Sequence, residues 1–405
     1  MIHSNRFKLF ALMVAICLVI SFGAPQSQSR ITPLNDEKAY GVSFEYDPLL
    51  CPVPVVQVRI NNSKPLKFIL DTGGYWPLIL HRRSAINITL PVSEKPIVTS
   101  PITLYRAAVD KIELITTSKD SPLSLSLSNI YVSDLSTLSE LFSIGPIDGI
   151  LGAPVLSPTT ARLDFSSKTL SIYLQPNSPV RTENCIVIPM TKLDTRFTIP
   201  VQACKSPETD ALIDTGSADC VLPRKLIESC HDISKARGYS WTVGGPIQDD
   251  VFLVPTVRLG SSSSTEVIIR SHEKGDQMAV VGMSILERFR VTLDFRNKEM
   301  ILEPVKGYTP RSRLPGLNVL QIEQREGQFV VGDIARDSLP IKAGAKRGDK
   351  ILSVDNIAVS GIPGSPLQNL IDGFANTKAK LVLERAASEV ITIEYLRPSI
   401  FTNSR

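Results

Sequence analysis

Histidine is scarce in this chain, with four in 405 residues. No Cys/His spacing of the metal-binding kind occurs, and no Ser/His/Asp or Cys/His arrangement stands out. A metal site, a serine triad and a thiol peptidase are therefore not expected, and no cofactor is called for. Basic stretches with interleaved aromatics are also missing, and the net charge of +4 is small. That argues against a nucleic-acid partner. Beyond the first residues no apolar run is long enough to suggest a membrane span.

What is present begins with a leader. Arg6 and Lys8 precede an apolar run from Leu9 to about Ala24, followed by Pro25-Gln26-Ser27-Gln28-Ser29. This order describes a secretory signal peptide over residues 1–29, with Ala24 and Ser29 as alternative cleavage positions. An uncleaved anchor is the other reading, and it would be the chain's one tie to a membrane. Ile16 before Cys17 is too large for a lipoprotein signal. Export to the periplasm or the exterior permits disulfides. Five cysteines follow: Cys51, Cys185, Cys204, Cys220 and Cys230. Cys185 and Cys204 bracket an apparent hairpin, Cys220 and Cys230 are close in sequence, and Cys51 is left over. Five buried thiols are the alternative.

The body of the chain reads as mainly β, in short apolar or alternating runs separated by turns. Val55–Ile60, the turn cluster Asn61–Pro65 and the returning run Leu66–Leu70 lead into Asp71-Thr72-Gly73. Ile186–Pro189 and Phe197–Val201 repeat that grammar, and Ala211-Leu212-Ile213 leads into Asp214-Thr215-Gly216. Further on, Gly152–Lys168 aligns without gaps on Gly282–Lys298 at an offset of 130, sharing Leu-Asp-Phe at 163–165 and 293–295. The Asp-Thr-Gly offset is 143, so loops between the landmarks differ in length. The chain thus carries an internal repeat.

One Asp-Thr-Gly is weak evidence, since both Asp and Gly are turn formers. Two are stronger, each after a buried-type strand and each followed by an apolar-apolar-Gly segment. On these residues the chain resembles the pepsin and retropepsin superfamily, closest to bacterial retropepsin-like proteins with two tandem lobes, over roughly Tyr40–Glu303. The resemblance implies a bilobal acid-protease fold with lobes at 37–178 and 183–305. It implies that Asp71 and Asp214 form one catalytic dyad, sharing a proton and activating a water against a peptide bond. Thr72 and Thr215 brace the two loops, Gly73 and Gly216 allow close backbone approach, and Gly152 and Gly282 pack beneath. Ser217 fits the family pattern, whereas Gly74 departs from it and removes a hydrogen-bonding side chain near Asp71. Val243-Gly244-Gly245-Pro246 is a candidate flap tip in the second lobe, with Gly244 and Gly245 at its centre. The first lobe has no glycine between Gly74 and Gly145, so its flap is absent or differently built. Asp148, Asp164 and Asp294 read as structural. A polypeptide substrate follows, with a non-catalytic peptide-binding protein on the same fold as the alternative.

Residues 306–316 have a linker's composition, a boundary that few contacts normally cross. After it, 317–398 resembles a PDZ domain of bacterial type. The match rests on Gly327-Gln328-Phe329-Val330, Ala343-Gly344 and Gly348–Asp355. Leu367, Leu370, Ile371 and Phe374 fall on one face of a helix. The resemblance implies a groove for a peptide or protein ligand between the strand at Gln328, Phe329 and Val330 and the helix carrying Leu367, Leu370 and Ile371. No Gly-Leu-Gly-Phe loop is present for capture of a free C-terminus.

Overall fold

A computed structural model describes residues 30–31 and 39–401, apart from stretches at 100–101, 119–121, 140, 158, 175–183, 232, 243–244, 272–277, 310–313 and 386–387. The leader assigned to 1–29 lies outside the described residues. The architecture is mainly β, as expected. Among the described residues no helix is long and apolar enough to cross a membrane.

The apolar runs pair into two large sheets with one topology. In the first, the strands lie in the order Cys51–Ile60, Leu66–Asp71, Gly149–Gly152, Leu78–His81, Asn129–Ser133, Leu104–Ala108, Val92–Val98. In the second, the order is Arg196–Ala203, Thr209–Ile213, Ala279–Val281, Cys220–Val221, Ser262–Ser271, Gly245–Leu259, Ser234–Thr242. These seven strands follow one order in both sheets, and each sheet carries further strands beyond Cys51–Ile60 or Arg196–Ala203. Each strand leading to Asp-Thr-Gly pairs in parallel with the short apolar strand that ends at the downstream glycine, Leu70 beside Leu151 and Leu212 beside Val280. A third sheet joins the halves: the repeated Leu-Asp-Phe strands, Thr160–Asp164 and Phe289–Asp294, run antiparallel to each other. One buried apolar cluster extends through both halves.

Three aspartates are structural, as read from sequence. Asp164 accepts the amides of Ser166 and Ser167 and pairs with Arg290. Asp294 accepts from Asn297. Asp148 holds Lys67 N and Ser84 Oγ. The cysteine pairing differs from the expectation. Cys204 bonds to Cys230, and Cys51, Cys185 and Cys220 are free. Cys204 sits in the turn after strand Arg196–Ala203, and helix Arg224–Ile227, just before Cys230, packs on that strand. Adjacency in the sheet, not proximity in sequence, therefore selects the pair. Cys51 does remain a thiol.

The C-terminal residues form a separate six-stranded sheet with helix Gly364–Asp372. Leu367, Leu370 and Ile371 are buried on one face. The helix stops at Asp372 because Gly373 adopts φ 54°, so Phe374 lies beyond it rather than on the expected face. The helix packs on the edge strand Leu320–Arg325, where Gln368 Nε2 donates to Leu320 O and Oε1 accepts from Ile322 N. Gln328, Phe329 and Val330 are one strand further in, with Val330 buried and the Phe329 ring near Gly364.

This unit is not joined by a bare linker. Leu50 from the first half packs against its core. Phe401, 6% exposed, is buried with Val251 and Ile268 of the second large sheet, flanked by Leu314 and Ile400. Glu287 accepts from Tyr46 Oη at 2.5 Å and from Tyr308 Oη at 2.7 Å, tying both halves to the start of the connection. Few crossing contacts were expected from the Pro/Gly-rich composition. Leu50, Ile400 and Phe401 lie outside that segment and Leu314 is a single apolar residue within it, so its composition does not report the docking. Phe401→Ala should cost about 3 kcal/mol of stability by loss of a buried ring. Urea denaturation reads this, and an unchanged midpoint would remove the docking role.

A second consequence concerns pH. Burial pushes the Asp372 carboxyl up to about 7, against hydrogen bonds from Gln368 and Asn318 and the charge of Arg397. An unfolded Asp titrates at about 3.9. Between these values the unfolded chain releases a proton that the folded chain keeps, so stability falls as pH rises from about 4 to about 7. Asp372→Asn should flatten that part of a melting-temperature profile. An equal slope in wild type and variant would sink this assignment.

Candidate active site

Strands Leu66–Asp71 and Thr209–Ile213 each end at the edge of their parallel pair, delivering Asp71 and Asp214 to facing loops. The loops are held by four hydrogen bonds. Thr72 Oγ1 donates to Ile213 O at 2.9 Å, and Thr215 Oγ1 donates to Leu70 O at 2.5 Å. In return, Thr215 N donates to Thr72 Oγ1 at 3.0 Å and Thr72 N to Thr215 Oγ1 at 3.1 Å. Both threonines are buried, 3% and 1% exposed, so each bond is made away from water. Thr72 and Thr215 thus bridge the two loops, as the motif implied.

The interlock leaves little room between backbone and carboxylate. A Cβ on Gly73 would lie 2.5 Å from Asp214 Cγ, and one on Gly216 would lie 2.8 Å from Asp71 Cγ. Each glycine therefore faces the aspartate of the other half. Asp71 and Asp214 are half-buried and share a side-chain hydrogen bond. The Gly216 amide donates to Asp214 Oδ1 at 2.8 Å, whereas Asp71 Oδ1 has no hydrogen-bond partner among the described residues. Beneath the loops, Ala153 N donates to Gly74 O and Met283 N to Ser217 O, following Gly152 and Gly282.

Burial, then the negative charge of Asp214 and the hydrogen bond between them, hold Asp71 well above the usual carboxylate range, against the amides of Gly73 and Gly74. Burial also raises Asp214. The hydrogen bond from Asp71, the Gly216 amide, the Arg196 charge and the Ser217 amide oppose that rise. Two carboxyls in contact cannot both ionise cheaply, so the pair retains one proton over a range of pH. Such a pair offers one acid and one base to a single reacting atom.

Ser217 does not reach the carboxylates in this arrangement; its Oγ donates to Asp219 O at 2.8 Å. Gly74 leaves the matching place in the first loop without a side chain. The thiols near the loops are inert: burial pushes Cys220 up to about 11 and Cys51 up to about 12, so neither is a thiolate at neutral pH. Among the described residues no group of His, Cys, Asp and Glu is arranged to hold a metal ion.

Two hairpins occupy matching places in the repeat. Ser234–Thr242 pairs with Gly245–Leu259 up to Thr242 opposite Gly245; Val243 and Gly244 lie outside the described residues. In the first half Val92–Val98 and Leu104–Ala108 form the counterpart without glycine, with register shifts around Pro96.

Arg196 was missed. It is fully buried and lies at the start of strand Arg196–Ala203, with its guanidinium 5.8 Å from the Tyr75 ring centre. Applying the 143-residue offset to Val53 would have exposed it as a charge standing where the first half has an apolar residue.

No protein-family model matches the chain, and no curated protein matches it. Among solved structures the chain is similar to conglutin gamma, a unique basic 7S globulin from lupine seeds, at 12% identity and a TM-score of 0.42. The match covers 67% of this chain and 95% of that one. A likeness of this size carries nothing about chemistry.

Thr215→Val removes the donor to Leu70 O and the acceptor for Thr72 N, stranding two buried backbone groups. Each stranded group costs roughly 1–3 kcal/mol. Chemical denaturation should show a loss in that range or above, and Thr215→Ser should recover most of it. Equal stability of the Val and Ser variants would contradict the interlock.

Proposed function

We propose that this chain is an aspartic endopeptidase, built as two homologous acid-protease lobes with a C-terminal PDZ-like unit, and that it cleaves exported or envelope polypeptides. The observation that carries this reading is the hydrogen-bonded pair Asp71 and Asp214, half-buried and fixed by reciprocal threonine bonds. The ionised carboxylate takes a proton from a water held between the two. The oxygen of that water adds to the scissile carbonyl carbon while the protonated carboxyl donates to the carbonyl oxygen. Collapse of the resulting diol returns a proton to one carboxylate, and the other protonates the leaving nitrogen as the C–N bond breaks. The glycine-containing hairpin of the second half and its counterpart in the first are the segments suited to close over a bound polypeptide. The PDZ-like unit would hold a peptide or protein ligand, and the leader would direct the chain to the periplasm or the exterior.

Asp71→Asn and Asp214→Asn should each abolish cleavage of an unfolded protein with the fold retained, because each removes half of one acid–base unit. Near-native activity in either variant would exclude a shared dyad. If wild type binds polypeptide but never cleaves it, the chain is instead a binding protein on this fold. The pH profile of the wild type should be bell-shaped. The two limbs belong to the pair and not to either aspartate, and they should be set apart because the second proton is held by two carboxyls in contact. A profile that climbs without limit into alkaline pH would be incompatible with the dyad.

A further inference from the structure

The halves repeat strand for strand, yet the two aspartates have different cross-strand neighbours. Strand Arg196–Ala203 runs antiparallel to Thr209–Ile213, with Thr198 opposite Leu212 and Val201 opposite Thr209. Two more steps of that register set Arg196 across from Asp214. In the first half Val55 lies opposite Ile69, and the same two steps set Val53 across from Asp71. Opposed residues in an antiparallel pair share a face. One carboxylate therefore has a cation beside it, and the other a buried valine.

The cation is built in. Arg196 is 0% exposed. Its Nε donates to Asp194 Oδ1 at 3.0 Å, and its Nη2 pairs with Asp194 Oδ2. Asp194 Oδ1 also accepts Arg196 N at 3.1 Å and Thr195 N at 2.5 Å, so the turn is folded around that carboxylate. Thr195 Oγ1 donates to Tyr75 O at 3.0 Å, fastening this turn to the residue after Gly74 in the opposite loop. A guanidinium keeps its charge under such burial.

We propose that Arg196 is a positioning residue that makes the dyad asymmetric: its buried charge, clamped by Asp194, settles the negative charge on Asp214 and the shared proton on Asp71. In catalytic terms, which rest on the peptidase reading, Asp214 then takes the proton from water and Asp71 donates to the carbonyl oxygen. The other groups facing Asp214 are Asp71, the amides of Gly216 and Ser217, and, further along the same loop, Asp219. Asp219 is itself paired with Arg270, which also holds Asp249.

The test reads Asp214 directly, by the pH dependence of its side-chain ¹³C carboxyl signal in an Asp71→Asn background of the full chain. Arg196→Met should move the Asp214 midpoint up by about one pH unit or more. Asp194→Asn leaves the cation without its partner and should move the midpoint down. Arg196→Lys should stay near the parent. In the Asp71-containing chain, the acid limb of the kcat/KM profile should follow the same two opposite directions. A role that is only structural lowers activity without opposed shifts. Midpoints that fail to move, or that move the same way in both variants, would overturn the proposal. Should Arg196→Met not fold, the absence of a downward shift in Asp194→Asn overturns it alone. Opposed carboxyl shifts in a chain that cleaves nothing would keep the asymmetry and discard the peptidase reading.

Discussion

Four hydrogen bonds between two Asp-Thr-Gly loops set the terms for the rest of this molecule. Each threonine hydroxyl donates to a backbone carbonyl just before the other loop's motif and accepts that loop's threonine amide. A hydroxyl is suited to this because it can donate and accept at once. The geometry closes only if both strands arrive at the same height and neither loop carries a side chain at the position facing the other aspartate. Matching strand order and the paired glycines satisfy those two conditions. Contact between two carboxyls, a costly arrangement in isolation, is then a by-product of an interlock that pairs the Thr72 and Thr215 amides and the Leu70 and Ile213 carbonyls.

On this nearly symmetric frame the chemistry is asymmetric. Gly74 and Ser217 occupy matching places, and Ser217 turns away to Asp219. Val53 and Arg196 occupy another matching pair. Because Ser217 turns away, the Gly74/Ser217 difference does not separate the two carboxyls, and the cation beside Asp214 is the difference that bears on them. Backbone amides reach both carboxyls, those of Gly73 and Gly74 at Asp71 and those of Gly216 and Ser217 at Asp214, so the amides repeat the symmetry of the frame.

The parts legible in sequence were those encoded by a short motif or by a repeat. Asp71, Thr72, Gly73 and their partners at 214–216 follow from residue type and from the apolar runs before them. The strand order follows from repetition, because a duplicated pattern folds twice the same way. The Cys204–Cys230 bond was not legible, since it joins a strand to a helix brought beside it by the sheet. The end of the C-terminal helix was misplaced by two residues because Phe374 continues the apolar spacing, while Gly373 breaks the backbone before it. Arg196 was hidden for a different reason. A lone arginine in a strand has no motif, and its meaning appears only when the register sets it opposite Asp214.

Docking of the C-terminal unit was hidden in the same way, because Leu50, Leu314 and Phe401 belong to no repeated apolar pattern. Their placement links two distant parts of the molecule. Phe401 packs on Val251 and Ile268, in the two strands that support the long hairpin. Next to Val251, Asp249 and Asp250 are buried and paired, Asp249 with Arg270 and Asp250 with Arg224 and Lys235. Arg270 reaches on to Asp219, five residues past Asp214. Buried ion pairs of this kind are costly to break from one side, since that leaves a charge without its partner. A displacement of the C-terminal unit that dragged the hairpin strands would therefore meet resistance from the same network that holds the Asp214 loop. The base of the hairpin, the dock for Phe401 and the Asp214 loop are thus joined through one run of packed and ion-paired residues.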